Sequence, residues 1–161
     1  MRERGLTLLE VLIALALVAV LASLALPSMG ARLDRHRVVS AAETLAADLN
    51  EARFEAARQG RTIHLLAQVG TRWCWSVATT AACPCGQAQA CELRASTPVQ
   101  QAGIASLEGS SLRITPQGRP EVAGAITLQS TRGLRLRVAM QPLGRSQVCS
   151  EGAQVPGYPA C

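Results

Sequence analysis

Few side chains in this chain could do chemistry. Its 161 residues include two histidines, His36 and His64, and six cysteines, Cys74, Cys83, Cys85, Cys91, Cys149 and Cys161. Catalysis needs a nucleophile near a base, paired carboxylates in a cleft, or a metal constellation. His36 falls in a helical pattern and His64 in a strand-like one, and neither stands in a ligand or triad context. A zinc site is the competing reading of the cysteines, but Cys83 and Cys85 have one residue between them where zinc motifs have two or more, and no histidine is close. No phosphate-binding glycine loop is present. We therefore expect no catalytic residue, no metal and no cofactor.

The cysteines read better as staples. All six lie beyond an apolar N-terminal segment, and an even number placed there fits disulfides formed in an oxidising compartment. We expect Cys149 to pair with Cys161, and Cys74, Cys83, Cys85 and Cys91 to pair among themselves. Such cross-links suit a core with only 2% aromatic residues, built from Ala, Val, Leu and Ile.

Charge supplies the next candidates. The net charge is +5 and the chain has no lysine, so arginine carries all the fixed positive charge. From Ser110 onward Arg113, Arg119, Arg132, Arg135, Arg137 and Arg145 face only Glu121 and Glu151. On a strand Arg135 and Arg137 would share a face and form a basic stripe. An intersubunit ion-pair surface and a solvated face are the competing readings of that stripe.

One acid is more telling. Leu6 to Leu26 is apolar apart from Thr7, Glu10 and Ser23, and as a helix these residues would span about 31 Å, enough to cross a bilayer core. A plain membrane anchor or a cleaved secretory signal, with Arg2 and Arg4 ahead of it and small residues at Ala22 to Ala25, would also fit the run. Neither accounts for Glu10, since a carboxylate in lipid is expensive and is kept where a partner neutralises it. Gly5, Leu6, Thr7, Leu8, Leu9 and Glu10 resemble the class III signal of type IV pilins. The resemblance implies cleavage after Gly5 by a prepilin peptidase and methylation of the new terminus at Leu6, where the family usually has Phe. It also implies that Glu10 pairs in the inner membrane with the amino terminus of a neighbouring subunit.

The elements that must position these residues follow from periodicity. Pro27 closes the apolar run, and we expect it to kink or loosen the helix. From residue 28 to 60 apolar side chains recur at helical spacing, Val38, Ala42, Leu45, Leu49, Ala52 and Ala56, with Val39, Ala46 and Ala57 beside them. Arg35, Arg37, Glu43, Asp48, Glu51, Glu55 and Arg58 occupy much of the remainder, and Gly60 is a plausible C-cap. Residues 61–161 then read as short strands at 62–69, 72–79, 112–115, 125–130 and 134–140, with turns at 108–111 and 116–120 and an irregular stapled loop at 81–101. A long helix followed by consecutive strands predicts an α+β fold with an antiparallel sheet on the helix.

The order of elements, the segment Ala52-Arg53-Phe54-Glu55-Ala56, Trp73, and Pro116 with Gly118 are similar to GspH/FimT-type minor pilins. That resemblance implies a periplasmic domain on a single-pass inner-membrane helix, with other pilin or pseudopilin subunits as partners. It implies a subunit that primes or caps a type IV pilus or type II secretion pseudopilus. Gly144, Arg145, Ser146, Gln147, Val148 and Cys149 stand where DNA-uptake members have a Gly-Arg-x-Arg motif, with Gln147 in place of the second Arg. A role in capturing double-stranded DNA, helped by Arg132, Arg135 and Arg137, is the alternative, and a secreted disulfide-bonded protein is a third.

Overall fold

The structure is a computed structural model that describes residues 7–161, Thr71 and Ala88 excepted, and the backbone alone at 24–28 and at Ala153. The chain divides into two compact units, Met1–Leu33 and Asp34–Cys161. Helix α1, Leu8–Gln59, starts in the first unit behind an N-cap in which Thr7 Oγ1 accepts the Glu10 N–H at 3.3 Å. Every described side chain from Thr7 to Ser23 is exposed, whichever way it points. An apolar helix bare on all sides is built for lipid or for other helices. The backbone stays helical through Pro27, so the missing N–H there does not end the element. Among the described residues no helix is long and apolar enough to cross a membrane, and the span expected over 6–27 includes positions outside that description.

In the second unit the rest of α1 lies against two antiparallel sheets. It ends at Gln59, and Gly60 takes the left-handed conformation of a helix stop, φ +62°. The first sheet orders its strands β3-β2-β1-β5, with β1 Ile63–Gln68, β2 Cys74–Ala78, β3 Glu92–Ser96 and β5 Leu112–Ile114. The second orders them β4-β6-β7-β8, with β4 Ile104–Gly109, β6 Gly124–Ser130, β7 Arg135–Met140 and β8 Ser146–Ser150. A bridge between Gly70 and Leu107 joins the sheets. The α+β antiparallel architecture is as expected, but its strands form two sheets instead of one. Three strands run where none was expected. β3 lies inside the supposed irregular loop, β4 runs into the supposed turn, and β8 begins directly after Gly144 and Arg145 and takes up the rest of that segment. Short, polar and exposed on an edge, β3 has no alternation for a sequence reading to detect; its pairing with β2 defines it.

The helix face is the expected one. Val38, Ala42, Leu45, Ala46, Leu49, Ala52 and Ala56 are buried against Ile63 and Leu65 of the first sheet and Ile126, Leu128, Leu136 and Val138 of the second. Ala57 is instead exposed. Asp48, expected on the solvent side, is fully buried and is the main correction on this helix. Trp73 and Trp75 stack with ring centroids 5.3 Å apart and are the largest side chains in the core. The Trp75 indole N–H donates to Asp48 Oδ2 at 2.8 Å, and that of Trp73 donates to the Ile104 carbonyl at 3.3 Å. Arg94 of β3 supplies the countercharge to Asp48 at 3.1 Å and reaches Glu51 at the same distance. A carboxylate can be buried here because both of its oxygens have donors.

Disulfides join Cys74 to Cys85, Cys83 to Cys91 and Cys149 to Cys161. The first ties the connection between β2 and β3 to β2, and the second closes a loop within that connection. Replacing Asp48 by Ala should lower unfolding free energy by about 3 kcal/mol, because it strands a buried indole N–H and half of an ion pair. Asp48→Asn, which keeps the acceptor for Trp75, should cost clearly less. Urea unfolding followed by tryptophan fluorescence distinguishes the two.

Candidate functional site

Two regions collect the residues singled out by type and spacing. The first is the start of the helix. Gly5 and Leu6 lie outside the described residues. Glu10 sits in the first turn of α1, where acids are electrostatically favoured, and its side chain is exposed. No described residue hydrogen-bonds or ion-pairs with its carboxylate.

The second region is the outer face of the sheet β4-β6-β7-β8. Leu136, Val138 and Met140 point into the core, so Arg135 and Arg137 point outward together, as their spacing predicts. Register brings Thr127 and Cys149 beside Arg137, and Gln147 beside Ala139. Arg135 is not free to bind an anion. Its Nη2 lies 2.7 Å from Glu108, and its Nε lies 3.0 Å from Glu151 but off-line for a hydrogen bond. Thr127 Oγ1 donates to the same Glu151 at 3.1 Å. Gln147 is engaged too, since its Oε1 accepts the Gln141 amide at 2.6 Å. Arg132, Arg137 and Arg145 are exposed and have no carboxylate partner among the described residues. The five positions thus do not act as one cationic surface: two are occupied, Arg132 belongs to the turn before β7, and Arg145 to the turn after it.

Gly144 has a structural use that its motif did not suggest. It is buried at φ +81°, and a Cβ there would fall 2.0 Å from the Gly118 carbonyl oxygen and 3.3 Å from Arg53 Nε. Gly118, at φ +71°, is itself pressed against the Arg53 side chain, whose Nη1 lies 3.5 Å from the Gly144 carbonyl. Next to it Ser146 donates to Asn50 Oδ1 at 3.2 Å. Two turns, one ahead of β6 and one ahead of β8, therefore close on one arginine of α1. Arg53 was legible in the sequence only as part of the segment Ala52-Arg53-Phe54-Glu55-Ala56, with nothing to mark it as the contact of two turns.

The C-terminal segment forms a strap. Val155 is buried in the core, Arg35 Nη2 donates to the Pro156 carbonyl at 2.7 Å, and the Tyr158 hydroxyl donates to Glu43 at 2.6 Å. Ser150 N–H donates to the Pro159 carbonyl at 2.8 Å and Cys161 N–H to the Ser150 carbonyl at 3.2 Å, along the outer edge of β8. Burial, and then the hydrogen bond to Glu43, pushes the Tyr158 phenol up to about 12. His64 is pushed below its ordinary value, by burial and then by nearby Arg113. No group of three His, Cys, Asp or Glu residues among those described could hold a metal ion.

The family model described as type II transport protein GspH matches residues 41–144. A second, the prokaryotic N-terminal methylation motif, matches residues 1–26, which include Gly5, Leu6 and Glu10. No curated protein matches the chain. Two crystal structures of the type IV minor pilin FimU of Pseudomonas aeruginosa strain PAO1 are similar in fold. One, in space group P21, has 23% identity and a TM-score of 0.55, and the match covers 77% of this chain and 96% of that one. The other, in space group P65, has 22% identity and a TM-score of 0.53, covering 74% and 97%.

Two outcomes are expected of this region. Gly144→Ala should destabilise the fold by about 2 kcal/mol or more, through the clash with a backbone oxygen and the positive φ, measurable by thermal unfolding. Tyr158 is the chain's one tyrosine, so ultraviolet titration reports on it alone. Its midpoint should stand near 12 in the folded protein and move toward the ordinary value of about 10 in Glu43→Gln. The folded state then holds a proton that the unfolded chain releases, so stability should fall as pH rises from about 10 to about 12.

Proposed function

The chain belongs to the type II transport protein GspH family, and from that premise we propose that it is a minor pilin or pseudopilin that primes or caps a filament of the type IV pilus or type II secretion kind. Prepilin peptidase cleaves after Gly5 and the new terminus at Leu6 is methylated. The stem then waits in the inner membrane as a single span, with the second unit in the periplasm.

The observation that carries this reading is Glu10: an exposed carboxylate, without a partner among the described residues, in a stretch of helix from Leu8 to Ala22 that is otherwise apolar on every side. In lipid such a charge is tolerable only when neutralised. The ammonium of an adjacent subunit's mature terminus supplies the opposite charge, and it arrives only when the two stems dock in register. Assembly therefore removes two unfavourable charges at one step, and a misregistered stem leaves both unpaired. The stem's bare Leu, Val and Ile side chains supply the packing surface around that pair.

The arginine face favours this reading over capture of double-stranded DNA. Phosphate binding needs several free cations in a row, yet Glu108 and Glu151 neutralise Arg135, and Gln147 both lacks a charge and is tied to Gln141.

Glu10→Ala should reduce incorporation into sheared filaments by about tenfold or more, the effect of losing one interaction of about 1.4 kcal/mol, while membrane levels of the subunit stay unchanged. Intact mass of the mature form should correspond to a methylated chain beginning at Leu6. Normal incorporation of the Ala variant, together with a terminus near Ser23 to Leu26, would contradict the proposal.

A further inference from the structure

We propose that Arg35, Arg37 and Arg132 form a cationic collar that binds the headgroups of anionic phospholipids while the subunit waits in the membrane. The inference rests on the membrane-anchored reading above.

Sequence places the collar at a defined depth. After Glu10 the next charged residue is Arg32, so residues 11–31 can lie in or against lipid without burying a charge. Arg35 and Arg37 follow Arg32 by about 4.5 and 7.5 Å of helix rise, and the headgroup layer is about 5–7 Å thick on each side of a bilayer. Helical side chains tilt toward the N-terminus, so both arginines reach back toward the apolar run.

Geometry arranges them around the helix. Asp34 is the inward residue of this turn, 4% exposed, where Ser130 Oγ donates to it at 2.6 Å and Thr131 Oγ1 at 3.0 Å. These two bonds dock the turn between β6 and β7 on α1, and Arg132 is the next residue of that turn. Thr131 N–H also donates to the Gly103 carbonyl at 3.0 Å, and an added Cβ at Gly103 would come 2.6 Å from Arg37 Cδ, so Arg37 lies along this same loop pair. Arg35 stands on the other flank, with one Nη on the Pro156 carbonyl. Asp34 is held by hydroxyls, Glu43 is held by Tyr158, and no described carboxylate ion-pairs with any of the three arginines.

Shape decides which polyanion fits. A duplex presents its phosphates in rows to one side of a protein, whereas Arg35 on one flank of the Asp34 turn, and Arg37 with the loop of Arg132 on the other, are carried on two sides of a single helix. Charges carried on two sides of a helix, within a few residues of an uncharged run, match the headgroups that border lipid. Arginine adds a fork of donors suited to phosphate oxygens, and basic residues close to a membrane helix gain from an anionic surface.

The test uses the full chain reconstituted into vesicles. Flotation with vesicles of phosphatidylcholine alone reads membrane anchoring by itself. Native mass spectrometry of protein released from vesicles with equal phosphatidylcholine and phosphatidylglycerol reads the lipids that stay bound. Phosphatidylglycerol should be enriched about tenfold over phosphatidylcholine, fall to parity in the triple variant Arg35→Gln, Arg37→Gln, Arg132→Gln, and persist in the corresponding triple Lys variant. Unchanged tryptophan fluorescence verifies folding of both. A chain that floats with neutral vesicles but shows no enrichment, or equal enrichment in the Gln variant, overturns the collar and leaves the anchored reading standing. Failure to float overturns both. Binding of duplex DNA that the Gln variant loses, without phosphatidylglycerol enrichment, also overturns the collar.

Discussion

The second unit is organised around a pair of stacked indoles that cannot be buried without polar partners. With so few large side chains to fill the space between a helix and two sheets, Trp73 and Trp75 provide much of the core's bulk, and each brings an N–H into it. Asp48 answers one from the helix and the Ile104 carbonyl answers the other from the second sheet. One stacked pair thereby fixes the spacing of all three layers. Arg94 then has to stand on β3 to balance Asp48, which ties the outermost strand of the first sheet to the same centre. Alanines along the helix, Ala41, Ala42, Ala52 and Ala56, allow the backbone to approach closely enough for these bonds to form.

That dependence explains which parts of the molecule could be anticipated. Period alone identified the buried helix face at Val38, Leu45 and Leu49, because each position reports its own direction from the axis. It also identified β1, β2, β5, β6 and β7, whose apolar residues alternate or cluster. The same logic misplaced Asp48, since a charge at helical spacing looks solvated until its partners, 27 and 46 residues away, are known. β3 and β8 were missed for a related reason: on an edge, pairing with one neighbour does what an apolar alternation would otherwise signal. Two sheets in place of one is likewise a matter of register between distant strands.

Among the candidate functional residues, Glu10 was conspicuous because it violates its surroundings. The arginines were harder to read because each one's meaning depends on what lies across the sheet. Arg135 and Arg137 occupy equivalent positions two residues apart, yet one is spent on Glu108 and Glu151 and the other is not. No local pattern distinguishes them. Gly144 illustrates the opposite confusion: next to Arg145 it reads as half of a binding motif, while its buried contact with Gly118 and Arg53 gives it a packing role.

The strap after β8 has one more consequence. Strands on the rim of a sheet are adhesive, and proteins crowded together at high local concentration can fuse rim to rim into aggregates. Here the tail lies along that rim, its carbonyl and amide groups already engaged by Ser150 and a cross-link sealing the end. A molecule destined for close company is thus made unsociable along its flank. The longest bare apolar surface lies instead at the start of the helix, from Leu8 to Leu21.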